Sequence, residues 1–350
     1  MNLSIIIPTY NLGKYIENTL SSLMMQTDGR FELIVVDDGS TDDTTNIVKE
    51  IILKNKLINC KVINKENNEG VSSARNTGLF NATGEYVMFL DGDDYVSKNL
   101  VEVINKTVEN EKFEVICWGF NAVNEDYKSQ SNYFEKYSSA LTNMKGYEAL
   151  ENIIIEKTLW ICTGSAVFKR ELLLNENLKY SDDFVNGEDQ EFTIKALSVA
   201  DNVCFINEVL FYYVQREGSI SNSYNINRFD AINAMIRTYE YLQGKSDNRF
   251  NNIIHVIKNE LILGNYFHNF NSCITYLVTH EKRSIYSAQK LLNSDIESKY
   301  LGLNQMILTL MGKYTGNNRK LYLQVKLFLF SPFIHIWLVN LKHKINAIKR

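Results

Sequence analysis

Cysteine, proline and glycine-rich loops are all scarce in this chain, and each scarcity closes off a class of protein. Five cysteines (Cys60, Cys117, Cys162, Cys204 and Cys273) lie far apart among 350 residues. Their odd number and lack of metal-ligand spacing argue against a disulfide framework or a cysteine metal site. Most sit in apolar runs such as Val115-Ile116-Cys117-Trp118, so they read as reduced core residues of a cytosolic protein. The opening MNLSIIIPTY has no basic region and no long apolar run, which reads as a first β-strand rather than a signal peptide. No G-x-G-x-x-G follows that strand and no P-loop occurs anywhere, so the dinucleotide and Walker-type fingerprints are missing. A formal net charge of -4 gives the whole molecule no attraction for nucleic acid.

What is present is an alternation of short apolar strands and amphipathic helices. Leu3–Ile7, ended by Pro8, Phe31–Val36, Lys61–Asn64 and Tyr86–Leu90 read as strands. Between them Tyr15–Met25, Asp42–Leu53 and Val71–Phe80 carry helical spacing, the second begun by the N-cap types Ser40, Thr41 and Asp42. Strands joined through helices imply right-handed crossovers and a mainly parallel sheet covered on both faces. Further on, Leu100–Glu109, Val115–Phe120, Ser165–Phe168, Glu191–Ala200 and Val203–Phe205 continue the pattern, with a polar excursion at 121–145. After Tyr224 the helical period takes over, at Phe229–Leu242, Ile253–Phe270 and Ser284–Leu292. The expected organisation is an α/β domain over 1–225 and a mainly helical region over 226–350.

Ligands of such sheets bind beyond the carboxyl ends of the strands, and two acidic clusters fall there. FLDGDD, Phe89 to Asp94, places Asp91 and Asp93 on either side of one glycine. Two hard carboxylates suit Mg²⁺ or Mn²⁺ shared with a substrate's phosphates, and Gly92 would allow close approach. A solvated β-turn accounts for the same residues equally well. An EF-hand does not, because its sixth position, a required glycine, is Val96 here. VVDDGSTDD, Val35 to Asp43, offers Asp37 or Asp38 to a nucleobase N–H or ribose hydroxyl, although half of it needs only to cap a helix. Arg75, in NNEGVSSARNTGL, either pairs with Asp37 or Asp38 or touches a nucleotide. Glu188 and Asp189 stand at a helix start, where the macrodipole favours negative charge. One of them could instead serve as a general base. Arg216, in YYVQREGSISNS, reads either as a phosphate clamp or as part of an exposed connector.

Taken in order, six stretches resemble the family 2 glycosyltransferases with the GT-A fold. They are IIIPTYN (5–11), VVDDGSTD (35–42), NEGVSSARNTGL (68–79), FLDGDD (89–94), GEDQEF (187–192) and the Y-x-x-R-x-x-S-I-S stretch from Tyr213 to Ser221. Together they cover about the first two-thirds of the chain. The resemblance implies a Rossmann-like, mainly parallel sheet and a nucleotide-diphospho-sugar donor, most often a UDP-sugar. A hexosyl or N-acetylhexosaminyl group would be transferred with inversion to a saccharide or lipid-linked saccharide. By the same resemblance Pro8, Thr9, Tyr10, Asp37 and Asp38, with Arg75, surround the nucleoside. Asp91, Gly92 and Asp93 adjoin the diphosphate and its Mn²⁺ or Mg²⁺, Asp93 being favoured as the direct ligand. Asp189 becomes the catalytic base and Arg216 a pyrophosphate contact. A loop from 121–145 or around Arg216 is expected to close over the donor and exclude water.

The last fifty residues hold eight Lys or Arg and no Asp or Glu, leaving 29 basic against 41 acidic groups in the first 300. Within them LFLFSPFIHIWLVNL, Leu327 to Leu341, is shorter than the roughly 20 apolar residues that cross a bilayer. It suits either the surface of an anionic cytoplasmic leaflet or a core helix, the latter docked on the catalytic domain or in a homo-oligomer interface. The first choice implies a peripheral protein on the inner face of the plasma membrane, in surface-polysaccharide or capsule synthesis. Two other functions compete with this one. A nucleotidyltransferase would need a glycine-rich N-terminal loop, which IIIPTYNLGKYI lacks. A non-catalytic nucleotide-sugar-binding or assembly protein on the same fold is disfavoured by the intact Asp91, Asp93 and Asp189.

Overall fold

Leu3–Thr9 forms strand β1, and all seven of its residues are buried. A strand with no exposed side needs cover on both faces and a neighbour along each edge. The computed structural model describes residues 3–55, 59–126, 128–137, 143–182, 184–216 and 224–348. After β1 come α1 (Ile16–Met24), β2 (Phe31–Asp37), α2 (Thr44–Lys54), β3 (Cys60–Asn64), α3 (Val71–Asn81) and β4 (Tyr86–Phe89). Then follow β5 (Tyr95–Val96), α4 (Leu100–Asn110), β6 (Val115–Asn124), β7 (Ser129–Ser131) and α5 (Tyr133–Tyr137). The series continues with β8 (Asn143–Met144), α6 (Gly146–Glu151), β9 (Ala166–Lys169), α7 (Arg170–Asn175), α8 (Glu188–Leu197) and β10 (Val203–Gln215).

The strands lie in the order β3-β2-β1-β4-β9-β6-β10-β5. The first four are parallel to one another. β9 is antiparallel to both β4 and β6, and β10 runs parallel to β6 and antiparallel to β5. The sheet is therefore parallel in its first half and mixed in its second. Ile16, Leu20 and Leu23 of α1 and Leu100, Ile104 and Val108 of α4 pack in one core with Ile5, Ile7, Leu33, Val35 and Met88. α3 packs against β1 and β2. Its Gly78 lies so near β1 that a Cβ would sit 2.2 Å from Ile6 Cγ2, which explains a glycine inside a helix.

Two elements depart from the sequence-based expectation. β1 does not end at Pro8 but runs on to Thr9, with Pro8 opposite Val36. The missing N–H is tolerated because β4 pairs only with Leu3–Ile6, so nothing on that edge asks Pro8 for a hydrogen bond. β10 extends far past Phe205, and Tyr212–Gln215, expected as loop, stay paired with Asn121–Asn124 of β6. The long β6 supplies that partner, and it absorbs the start of the polar 121–145 excursion into the sheet.

By their own contacts the residues form two compact units, Met1–Arg216 and Glu217–Arg350. The second unit is helical: α9 (Asp230–Gly244), α10 (Asn251–Val256), α11 (Ile262–Thr279), α12 (Ile285–Lys299), α13 (Leu303–Gly312), α14 (Arg319–Phe330) and α15 (Pro332–Ile348). A π turn at Ile257–Leu261 joins α10 to α11, so the helix expected over Ile253–Phe270 contains a bulge. Phe328 packs edge-on against Tyr266, Phe267 and Phe270 at the centre of this unit. The apolar run Leu327–Leu341 is cut in two: α14 stops at Phe330 and Pro332 opens α15, where its fixed φ suits the first helical turn. Among the described residues no helix is long and apolar enough to cross a membrane.

Candidate active site

β4 leaves the sheet through Leu90, whose N–H still donates to Ile6 O at 2.9 Å. Asp91 is therefore the first residue past the last sheet bond, and Oδ1 of its carboxylate accepts from Arg75 Nη2 at 2.7 Å. Arg75 reaches there from α3, and its Nη1 donates to Glu188 Oε1 at 3.0 Å. The guanidinium is 4% exposed and lies 4.9 Å from the centre of the Tyr180 ring. Tyr180 is fixed in turn by stacking on Phe192 at 4.2 Å and by the edge of Phe89. Burial opposes the charge of Arg75, but Asp91 and Glu188 more than offset it and raise its pKa.

Glu188 is the first residue of α8, delivered by Gly187 at φ +84°, a conformation that favours glycine. Burial first and Asp189 second push the Glu188 carboxyl up to about 7, against the pull of Arg75. Asp189, beside it, accepts from Gln190 N at 2.8 Å. Burial raises its pKa too, with Arg75 opposing and Asp91 adding. Asp91 and Asp189, far apart in sequence, are thus electrostatic neighbours.

Asp93 is ion-paired with Arg216, whose guanidinium lies 4.7 Å from the centre of the Tyr15 ring. Burial first and Asp91 next still push the Asp93 carboxyl up to about 6. Asp94 is buried and accepts from Val214 N at 2.8 Å. Its carboxyl is raised well above the usual range by burial, Asp93 and Asp91. Five carboxylates (Asp91, Asp93, Asp94, Glu188 and Asp189) gather here around two guanidiniums, Arg75 and Arg216. The surplus is negative, and that is what a cation would relieve.

Mn²⁺ or Mg²⁺ fits this donor set. Asp91 engages Arg75 through Oδ1 and Asp93 engages Arg216 through Oδ2, so each keeps an oxygen for another ligand. Among the described residues no three His, Cys, Asp or Glu side chains form a protein-only cage. Two carboxylates sharing a hard ion with a ligand's phosphates is the usual mode for Mg²⁺.

The β1 and β2 ends are arranged differently. Asp37 Oδ1 accepts from Ser40 Oγ at 2.6 Å and Thr9 Oγ1 at 3.2 Å, and Oδ2 from Ser40 N at 3.0 Å. Asp38 takes Lys65 Nζ at 2.7 Å and the N–H groups of Glu69 and Gly70 at 3.1 and 2.7 Å. Arg75 pairs with neither aspartate, which corrects that expectation; Lys65 is already there, and Asp91 and Glu188 claim the arginine. Asp42 serves more than its own helix: Oδ1 accepts from Thr44 N at 3.0 Å, and Oδ2 from Gly13 N at 3.0 Å in the neighbouring loop. Of the expected nucleoside contacts, Pro8 and Thr9 are buried, whereas Tyr10 is 44% exposed. Gly92 has a packing reason, since a Cβ there would come 2.7 Å from Leu12 Cδ1.

The structure thus brings Arg75, Asp91, Asp93, Asp189 and Arg216 into one cluster and ties Asp37 and Asp38 into the loops beside it. Tyr15, Lys65 and Tyr180 were not foreseen, because none of them stands in a recognisable motif. Glu188 was visible as half of an acidic pair, but not as the partner of Arg75. Residues 217–221 of the Tyr213–Ser221 stretch, with residues 127 and 138–142 of the expected covering loop, lie outside the described residues.

Comparison with known proteins follows the same lines. The model for "Glycosyl transferase family 2" matches residues 4–175. Glycosyltransferase GlyG of Streptococcus pneumoniae serotype 4 is 30% identical over 229 residues, which are 62% of this chain and 72% of GlyG. The cholesterol galactosyltransferase of Borreliella burgdorferi is 26% identical over 95% of this chain and 97% of its own length. The chain spans less of other curated relatives, 62% of one and 37% of another. Among solved structures, residues 1–349 of Staphylococcus aureus TarS in complex with UDP-GlcNAc superpose with a TM-score of 0.67 at 21% identity, over 99% of this chain and 92% of that one. At that identity the likeness speaks for the fold, which is GT-A with a helical C-terminal region.

Proposed function

The chain belongs to glycosyl transferase family 2, and from that premise we propose that it transfers a sugar, with inversion, from a UDP-sugar to a hydroxyl of a saccharide or lipid-linked acceptor. The observation that carries the reading is the Arg75 bridge between Asp91 and Glu188. It holds the end of β4 against the start of α8 and so sets the diphosphate-side carboxylates beside the proposed base, Asp189.

Asp189 is the group to take the acceptor's proton as its oxygen attacks the anomeric carbon from the face opposite the leaving diphosphate. A carboxylate with a raised pKa is a better base than a solvated one. One displacement inverts the centre, by the logic that gives inverting glycosidases a base on one side and a leaving group on the other. Asp93 and Asp91 would hold Mn²⁺ or Mg²⁺, which when bound supplies the positive charge that the leaving nucleoside diphosphate requires. Arg216, ion-paired with Asp93, would contact the same diphosphate. Arg75 stays with its two carboxylates and acts as a positioning residue.

Support for the donor comes from TarS, whose structure was solved with UDP-GlcNAc. Support for a lipid-borne acceptor comes from the Borreliella relative, named for transfer of galactose to cholesterol and matched over nearly the whole chain. Either a hexose or an N-acetylhexosamine is compatible with these relatives. Asp189→Asn tests the assignment: transfer should fall about 10²–10⁴-fold while UDP binding, read by calorimetry, stays at the wild-type affinity. An Asn variant that transfers sugar at the wild-type rate would remove Asp189 from the reaction.

A further inference from the structure

The helix α15 carries an apolar stripe outward. In α15 the exposed hydrophobic residues are Phe333, Ile334, Trp337, Leu338, Leu341 and Ile345. At 3.6 residues per turn these positions fall on one stripe of the helix. The side turned inward is the more polar one. His335 is buried with Nε2 2.8 Å from Asn271 Oδ1, and Asn340 is buried with Nδ2 donating to Ile336 O at 2.9 Å. Burial holds the His335 imidazole down at about 4, in its neutral form. A helix that faces water has the opposite arrangement.

α14 shares the outward half of this arrangement, although its inward side is apolar as well. Leu321, Val325 and Phe328 turn inward, whereas Tyr322, Leu323, Leu329 and Phe330 are exposed, Phe330 at 80%. Phe330 and Phe333 flank the Ser331-Pro332 corner between the two helices. Two adjacent helices therefore share an outward aromatic and aliphatic surface larger than the scattered exposed residues ordinary for soluble proteins. The charge that these two helices carry has one sign. Arg319, Lys320, Lys326, Lys342 and Lys344 are all exposed, and residues 301–350 hold no Asp or Glu.

We propose that the outward face of α14 and α15 docks on the surface of an anionic phospholipid bilayer. The occupant follows from charge and dimension. A second copy of the same face would set basic residues against basic residues, whereas an anionic headgroup layer complements them while Phe330, Phe333 and Trp337 enter the acyl boundary. No described helix can span, so the pair lies in the interface. This surface does not depend on the transfer reading, since its test needs no donor or acceptor.

The full chain is floated with vesicles of phosphatidylglycerol mixed with phosphatidylcholine, and with vesicles of phosphatidylcholine alone. Binding is expected to the anionic vesicles, to fall steeply with added salt, and to be at least tenfold weaker on the neutral ones. Phe330→Asp combined with Trp337→Asp should abolish flotation without moving the thermal midpoint, because both side chains are exposed. In a Trp160→Phe background, Trp337 emission should shift to the blue when anionic vesicles are added. Absence of binding, or equal binding by the double variant, overturns the proposal. So does a dimer in solution that the double variant dissociates while wild-type protein ignores vesicles; that result would assign the face to a second copy.

Discussion

The ends of β2 and β4 look alike in sequence and differ in what meets their charge. Each is an apolar strand running into aspartates and a glycine: Asp37-Asp38-Gly39 after β2, and Asp91-Gly92-Asp93-Asp94 after β4. At β2 the carboxylates are enclosed by donors: Ser40, Thr9, Lys65 and the N–H groups of Glu69 and Gly70. At β4 two guanidiniums serve five carboxylates, and burial leaves Asp93 and Glu188 with pKa values raised to about 6 and about 7. A count of acidic residues does not separate a structural anchor from a binding site. A count of donors does. The first end has its charge met within the fold, and the second carries unrelieved charge that a ligand can relieve, as functional sites commonly do.

If that contrast is right, removing a carboxylate should have opposite effects at the two ends. The largest change is expected from Asp38→Ala, which removes a buried carboxylate that gathers Lys65 and two backbone N–H groups, leaving Lys65 only Glu69 and Ser73 and the Gly70 N–H only Asn68. Urea denaturation should show a loss of about 2–3 kcal/mol, the cost of leaving buried hydrogen-bond donors short of an acceptor. A loss under about 1 kcal/mol would mean that the anchor is dispensable, and would return Asp38 to the list of residues kept for a nucleoside.

Much of the first unit was legible beforehand, because fully buried parallel strands leave continuous apolar runs and their crossover helices leave a 3.6 period. The strand ends were harder. Pro8 was read as a terminator because sequence does not show which edge of β1 lacks a partner at that point. Tyr212–Gln215 looked like loop because a strand backed by β6 tolerates polar residues that a lone segment would not. The carboxylates and Arg75 could be named from motifs, but their pairing could not. Whether Arg75 meets Asp38 or Asp91 is decided by the seating of α3 on β1, which Gly78 permits through a contact invisible in sequence. Tyr180 and Lys65 carry no local signature at all. In the second unit the last apolar run concealed a corner at Ser331-Pro332, and only burial shows which side of each helix faces out.

The second expected effect is Asp93→Asn, a gain in stability. A carboxyl held at about 6 in the folded chain, against an unfolded value of 3.8, prefers its proton when folded. Its contribution is complete below pH ~4 and is lost as pH rises through 6. At pH 8 the Asn variant should be more stable than wild type by about 1–2 kcal/mol, less than the full shift implies because Arg216 loses its partner. Transfer should disappear in the same variant. A variant less stable than wild type at pH 8 would show that the Arg216 pair already compensates the charge, and the contrast between the strand ends would fail there.

The smallest effect, Asp42→Asn, should have the opposite sign. Burial works to raise the Asp42 carboxyl, but hydrogen bonds from the Thr44 hydroxyl and N–H and from Gly13 N–H win and hold it below its ordinary value. A lowered carboxyl contributes stability above its unfolded pKa and loses it as pH falls through the folded one. Because Asp42 is exposed, the expected cost of the Asn variant at pH 8 is only about 0.5 kcal/mol. Well below 3.8 both aspartates are protonated in the unfolded chain, and below the lowered folded value of Asp42 in the folded chain too, and a protonated carboxyl resembles an amide. Thermal midpoints of wild type, Asp93→Asn and Asp42→Asn should therefore draw together at low pH and separate in opposite directions as pH rises. Parallel shifts of both variants across the pH range would mean that hydrogen-bond geometry, rather than charge, distinguishes the two strand ends.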